Sequence, residues 1–95
     1  MAQVIHDTQR HIELLLDSVI DLWQNLPRTA FEIASWDLID QTTFVEEWPL
    51  QEQRLATLAA YATNGMLSAE QLKRYRELEQ SVAQNRPLAA TICRR

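Results

Sequence analysis

The chain contains a single glycine, Gly65, among its 95 residues. Glycine and proline supply most tight turns, so a chain with one glycine and three prolines has few places to reverse direction. Its β-branched residues are scattered among helix formers and do not alternate with polar residues, which disfavours strands. We therefore expect an all-α protein, a small antiparallel bundle of about four helices with a C-terminal helix–turn–helix hairpin.

The hairpin is predicted from signals on both sides of Gly65. Asn64 and Gly65 suit the left-handed conformation that ends many helices. Ser68 followed by Gln71 has the form of a capping box, which begins a helix. Pro49 suits the first position of the earlier helix, where its missing N–H costs nothing, so we expect a corner directly before it.

We predict one domain over residues 1–95, because no linker or low-complexity segment divides the chain. The predicted helices lie near residues 3–26, 30–47, 49–64 and 69–85, followed by a short tail, 86–95. Pro27 is expected to end the first helix and Asn85-Arg86-Pro87 the fourth.

The first predicted helix has an apolar residue at every seventh position: Ile5, Ile12, Val19 and Leu26. Leu15 and Leu22 are expected to fill the alternate core positions, with Leu16 and Trp23 widening the stripe. This pattern is typical of a helix that packs in a bundle or pairs with a second copy.

The second predicted helix is less regular. A capping box is expected at Thr29 and Glu32, and Phe31, Leu38 and Val45 repeat at seven-residue intervals. A break is allowed near Ser35-Trp36 or at Thr42-Thr43.

Charge is divided unevenly along the chain. Residues 1–50 carry two cations against nine carboxylates, a net charge of −7, whereas residues 51–95 carry seven cations against four carboxylates, a net charge of +3. Such polarity can pair the two halves of one molecule, match two copies, or attract a charged partner. Solvated helix faces with a chance imbalance would produce the same count.

Nothing in the sequence assembles a catalytic or cofactor site. Asp7 and His11, with His6 and Glu13 nearby, supply at most half of a metal site, and a surface ion pair is the simpler interpretation. A single glycine excludes a glycine-rich phosphate loop. We therefore expect no enzymatic activity, no metal and no cofactor.

Cys93 is the only cysteine, which excludes an internal disulfide and suits a reducing compartment. Arg94 and Arg95 beside it would favour the thiolate. The simpler interpretation is an incidental thiol near a frayed terminus.

Two surfaces are candidates for binding. An aromatic and acidic patch facing a basic protein partner is predicted at Trp36, Asp37, Asp40, Glu46, Glu47 and Trp48. In the alternative, the tryptophans Trp23, Trp36 and Trp48 are core residues. A DNA-binding role for residues 50–83 would use Lys73, Arg74 and Arg76, but the chain is acidic overall and those cations have acidic neighbours one turn away.

In size, helicity and charge the chain resembles small bacterial regulatory or antitoxin-type proteins that bind one protein target. From the residues themselves we expect a cytoplasmic, non-catalytic interaction module that binds a dedicated partner, forms a homodimer, or does both. The N-terminus shows no basic region followed by an apolar core, as a secretory signal would, and no apolar run is long enough for a membrane span.

Overall fold

A computed structural model describes the backbone of residues 2–94 and the side chains of residues 7–94. Within that range the chain forms four α-helices joined by short connections: α1 (Ala2–Gln24), α2 (Leu26–Glu32), α3 (Leu38–Thr63) and α4 (Ala69–Cys93), with a 3-10 turn at Ile33–Ser35. The three long helices pack against one another, and α2 packs against α4. The predicted all-α bundle with a C-terminal hairpin is confirmed. The predictions for Ile5, His6 and Arg95 concern side chains outside the described residues.

The buried stripe of α1 follows spacings of four, three and four residues: Ile12, Leu16, Val19 and Trp23, each 0% exposed. Leu15 and Leu22, predicted as core residues, are only partly buried at the edge of this stripe, whereas Leu16 and Trp23, predicted to widen it, lie at its centre, so this part of the prediction was wrong. Because α1 packs against α3 and α4 at once, the centre of its stripe faces the gap between them.

The first corner lies at Asn25 and not at Pro27, where the sequence predicted the end of the first helix. The side-chain amide of Asn25 donates to the Asp21 carbonyl oxygen (2.8 Å), and the backbone N–H of Thr29 donates to the Asn25 carbonyl oxygen (2.9 Å). Pro27 therefore lies in the first turn of α2, where a missing N–H is tolerated. The predicted capping box at Thr29 was wrong, because Thr29 is already inside the helix and Glu32 accepts from Arg28 instead.

The allowed break near Ser35-Trp36 is present, and the one at Thr42-Thr43 is not. Trp36 is extended, and the Asp37 carboxylate caps α3 by accepting from the Asp40 N–H at 2.8 Å. The break changes the helical phase, so the predicted seven-residue repeat does not form a core face. Its first two members are exposed and Val45 is half-buried.

Pro49 lies inside α3, so the predicted corner at Trp48-Pro49 was wrong. Proline in a helix interior costs about 3 kcal/mol because it removes one hydrogen bond and crowds the preceding turn. Here one continuous face carries Phe44 and Trp48 before the proline and Leu55 and Leu58 after it, and all four pack on the core. A break would take one half of this face out of register.

The hairpin between α3 and α4 forms as predicted. Gly65 has a φ of +69°, the Gly65 N–H bonds to Ala62 and the Met66 N–H bonds to Tyr61, the hydrogen-bond pattern of a Schellman C-cap. Ser68 and Gln71 form the reciprocal capping box.

The fourth helix continues through Pro87 to Cys93, so the predicted stop at Asn85-Arg86-Pro87 and the separate tail were wrong. Ala89 and Ile92 are both 2% exposed, and burying them requires the helix to extend past the proline.

The molecule is elongated, with dimensions of 48 × 24 × 16 Å and a radius of gyration of 14.9 Å, against about 12 Å for a compact chain of this length. Its accessible surface is 6571 Å², whereas a compact monomer of this mass exposes about 5700 Å². The excess of about 900 Å² is slightly larger than the roughly 800 Å² that one partner contributes to a standard protein interface.

Candidate functional site: an aromatic and acidic groove

A ladder of four aromatic rings runs from the surface into the core. Trp36 contacts Phe44 (centroids 6.1 Å apart), Phe44 contacts Trp48 (5.8 Å), and Trp48 contacts Trp23 (5.3 Å). The guanidinium of Arg86 lies 5.3 Å from the Trp23 ring centroid, in cation–π geometry. The ladder fixes the outer rings because its inner end is fully buried.

The outer end of the ladder lines an open groove of about 320 Å³, which we call the docking groove; it is formed by Trp36, Asp40, Thr43, Phe44 and Glu47. Four of these residues lie on one face of α3 and follow it for about two turns. The groove has an aromatic floor from Trp36 and Phe44 and carboxylates from Asp40 and Glu47.

The sequence around the docking groove is uniformly acidic. Residues 29–53 contain six carboxylates and no lysine, arginine or histidine. Two of these carboxylates are neutralised, Glu32 by Arg28 and Glu52 by Arg86. Within the described part of the chain the other four form no ion pair: Asp37, Asp40, Glu46 and Glu47. The groove therefore lies in a field of uncompensated negative charge.

Large apolar side chains are exposed on either side of Trp36 in the sequence. Phe31 is 88% exposed, and Leu38 and Ile39 are each 76% exposed. A monomer gains nothing from leaving three such side chains in water, whereas an interface would bury them. Leu38 also lines a second hollow of about 340 Å³ on the same half of α3, with Val45 and Glu46.

The six predicted partner-binding residues do not all lie in the docking groove. Trp36, Asp40 and Glu47 line the docking groove. Trp48 points inward onto Trp23, so for this residue the alternative interpretation as a core side chain holds. The last two lie elsewhere: Asp37 caps α3, and Glu46 lines the second hollow.

Sequence reasoning missed Phe44, Thr43 and the exposure of Ile39. Phe44 could have been found, because it lies four residues after Asp40 and four before Trp48, on one face of a helix. That face is continuous because α3 has no break at Thr42-Thr43, one of the two places where the sequence allowed an interruption.

The candidate DNA-binding cations are not equivalent. Arg74 bonds to Glu13 at 2.9 Å and to Asp17 at 2.5 Å, both on α1. The hydrogen bond that Arg74 donates to Asp17, opposed in part by burial and reinforced by the charges of both carboxylates, raises the pKa of Arg74. Lys73 and Arg76 are exposed. Arg74 thus joins two helices of the bundle and is already neutralised.

Glu13 is shared by two donors from α4. Besides Arg74, the Gln71 amide donates to Glu13 at 3.0 Å, while the Gln71 oxygen accepts from the Ser68 N–H at 2.9 Å. Gln71 is 3% exposed. A single side chain therefore caps α4 and ties it to α1.

A larger groove, about 480 Å³, lies between α3 and α4 and is lined by alanines, Leu55, Tyr75, Val82 and three charged residues. Glu52 and Arg86 form an ion pair across its rim at 2.8 Å. Burial, with a smaller contribution from the charge of Glu79, raises the pKa of Tyr75. The charges of this groove are largely paired, so it offers less than the docking groove to a charged partner.

The remaining chemical candidates lie apart from the docking groove. His11 is exposed and contacts the edge of Tyr61, with ring centroids 6.1 Å apart. No group of three or more potential metal ligands comes together in the described part of the chain.

Cys93 is half-buried, and burial together with the charge of Glu52 raises the pKa of its thiol. The prediction that Cys93 favours the thiolate was therefore wrong, because desolvation and the charge of Glu52 both disfavour that form.

In comparisons with protein-family models, with curated proteins and with solved structures, no match to this chain was found. Among the described residues, no helix combines the length and apolar character needed to cross a bilayer.

Proposed function

We propose that this protein is a non-catalytic interaction module that binds a dedicated protein partner through the docking groove, in a regulatory or accessory role. The observation that supports it best is the make-up of the groove, which combines the aromatic rings of Trp36 and Phe44 with the unpaired carboxylates of Asp40 and Glu47 on an elongated molecule. Aromatic residues are enriched among the anchors of protein interfaces.

The molecule exposes more surface than a compact monomer of its mass. The excess surface of about 900 Å² matches one side of a standard interface. The aromatic ladder holds Trp36 and Phe44 in place before binding, so little side-chain entropy is lost when a partner docks.

The test is affinity capture from the source cell with the immobilised full-length chain. The wild-type chain is expected to retain one stoichiometric protein, and Trp36→Ala is expected to lose it while its circular dichroism stays helical. Leu14→Ala is the matched control, because Leu14 is 60% exposed on α1 and lies outside the groove. Equal retention by Trp36→Ala and the wild type would contradict the proposal.

The same capture tests the DNA-binding alternative. Salt-sensitive retention of DNA without any protein, lost in Lys73→Ala and Arg76→Ala, would favour that alternative. The ion pairs of Arg74 with Glu13 and Asp17 disfavour it, because they reduce the positive charge available to phosphates. Homodimer formation stays a prediction, and light scattering at high protein concentration tests it.

A further inference from the structure

The charge and shape of the docking groove narrow the class of partner, on the premise that the proposed function is correct. We infer that the occupant of the groove is a cationic amphipathic helix of another protein, with apolar anchors on one face and lysine or arginine beside them. Three observations of the described residues point to this class.

The first observation is charge complementarity. Residues 29–53 carry no cation, and the carboxylates of Asp40 and Glu47 line the groove without an ion-pair partner in the described chain. A partner with lysine or arginine on its flanks would neutralise them, whereas an acidic partner would add repulsion inside a desolvating interface.

The second observation is the aromatic floor. Trp36 and Phe44 present ring surface to the groove, so an arginine of the partner can lie over a ring while its apolar anchors cover the remainder. The protein already uses this contact internally, since Arg86 lies over Trp23.

The third observation is geometry. Residues 2–94 contain no strand, so an extended peptide has no sheet edge in the described chain to pair with. The groove instead follows about two turns of α3, which suits a helix laid alongside it.

The inference is tested with a labelled 18-residue synthetic helix that carries leucine on one face and lysine on the others, and with the same peptide in which glutamate replaces lysine. Fluorescence anisotropy measures binding to the full-length chain. The variant Asp40→Asn/Glu47→Gln removes the groove carboxylates. The matched control, Glu70→Gln/Glu77→Gln, removes the same charge from exposed positions on α4.

The lysine peptide is expected to bind the wild-type chain, and the glutamate peptide is not. Asp40→Asn/Glu47→Gln should weaken binding at least about tenfold, and the control pair by less than about twofold. Raising the salt concentration from about 0.1 M to 0.5 M should also weaken it, because screening shortens the reach of exposed charges.

Three results would overturn the inference: no binding of the lysine peptide, equal weakening by both variant pairs, or equal binding of the glutamate peptide. If the wild-type chain does not bind the peptide but forms a dimer, and Asp40→Asn/Glu47→Gln dissociates that dimer, the occupant of the groove is a second copy of this chain instead. If Trp36→Ala loses the captured cellular partner while the peptide fails, the proposed function stands and only the cationic helix is excluded. If Trp36→Ala retains that partner, the proposed function itself fails.

Discussion

The indole rings of Trp23 on α1 and Trp48 on α3 meet edge to face, with centroids 5.3 Å apart and planes at 64°. Trp23 is fully buried, and within the described residues its Nε1–H has no acceptor, so packing and the cation–π contact with Arg86 hold it in place. This contact connects the buried core to the aromatic rings that line the docking groove. Trp23 and Trp48 stabilise the fold, whereas Trp36, at the other end of the ladder, is available for binding.

We predict different consequences for truncating Trp36 and Trp48. Trp48→Ala should lower the free energy of unfolding by about 2–3 kcal/mol, because it removes packing against Trp23 and Phe44. Trp36→Ala, at the open end of the ladder, should cost about 1 kcal/mol or less. Urea denaturation followed by circular dichroism measures both, and equal losses would show that the ladder is not divided in this way.

Removing the link between α4 and α1 should cost more than removing the helix cap alone. Ser68→Ala deletes one capping hydrogen bond and should cost about 1 kcal/mol. Gln71→Ala deletes the reciprocal cap and the hydrogen bond to Glu13, so about 2 kcal/mol is expected. Thermal and urea unfolding of the two variants compare them directly. If Gln71→Ala costs no more than Ser68→Ala, the bond to Glu13 contributes nothing measurable.

Pro49→Ala should stabilise the protein by about 1–2 kcal/mol, since it restores a helical N–H in mid-α3 and loses only part of that gain to a more flexible unfolded chain. Pro27→Ala is the control. Pro27 lies in the first turn of α2, so its replacement should change stability by about 0.5 kcal/mol or less. Destabilisation by Pro49→Ala would mean that the helix ends at Pro49 after all.

These three cases show how far the sequence predicts the fold. Gly65, Ser68 and Gln71 act within a few residues of themselves, so the hairpin could be predicted from local chemistry. Pro27, Pro49 and Pro87 could not be interpreted in the same way, because tertiary packing on both sides of Pro49 and Pro87 outweighs their local cost. The docking groove was half predicted: Trp36, Asp40 and Glu47 were identified, but Phe44 and Thr43 were missed, because the sequence allowed a helix break at Thr42-Thr43 that does not occur.

Cys93 should react more slowly with iodoacetamide in the folded chain than in the urea-unfolded chain at pH 8, because burial and Glu52 raise the pKa of its thiol. The folded state keeps this proton to higher pH, so the corresponding stability is present below the unfolded pKa and is lost as pH rises through the folded pKa. Glu52→Gln should shift the inflection of the rate–pH profile downward, with Glu79→Gln as the control. Identical profiles for folded and unfolded chains would contradict this.

The central claim is that the docking groove is where a partner meets this molecule. Two-dimensional NMR of the labelled full-length chain, titrated with the lysine peptide, locates that contact residue by residue. We expect the indole N–H of Trp36 and the amides of Asp40, Phe44 and Glu47 to shift, while Tyr75 and Ala83 in the α3–α4 groove stay unchanged. Shifts confined to the α3–α4 groove, with Trp36 unmoved, would contradict the account.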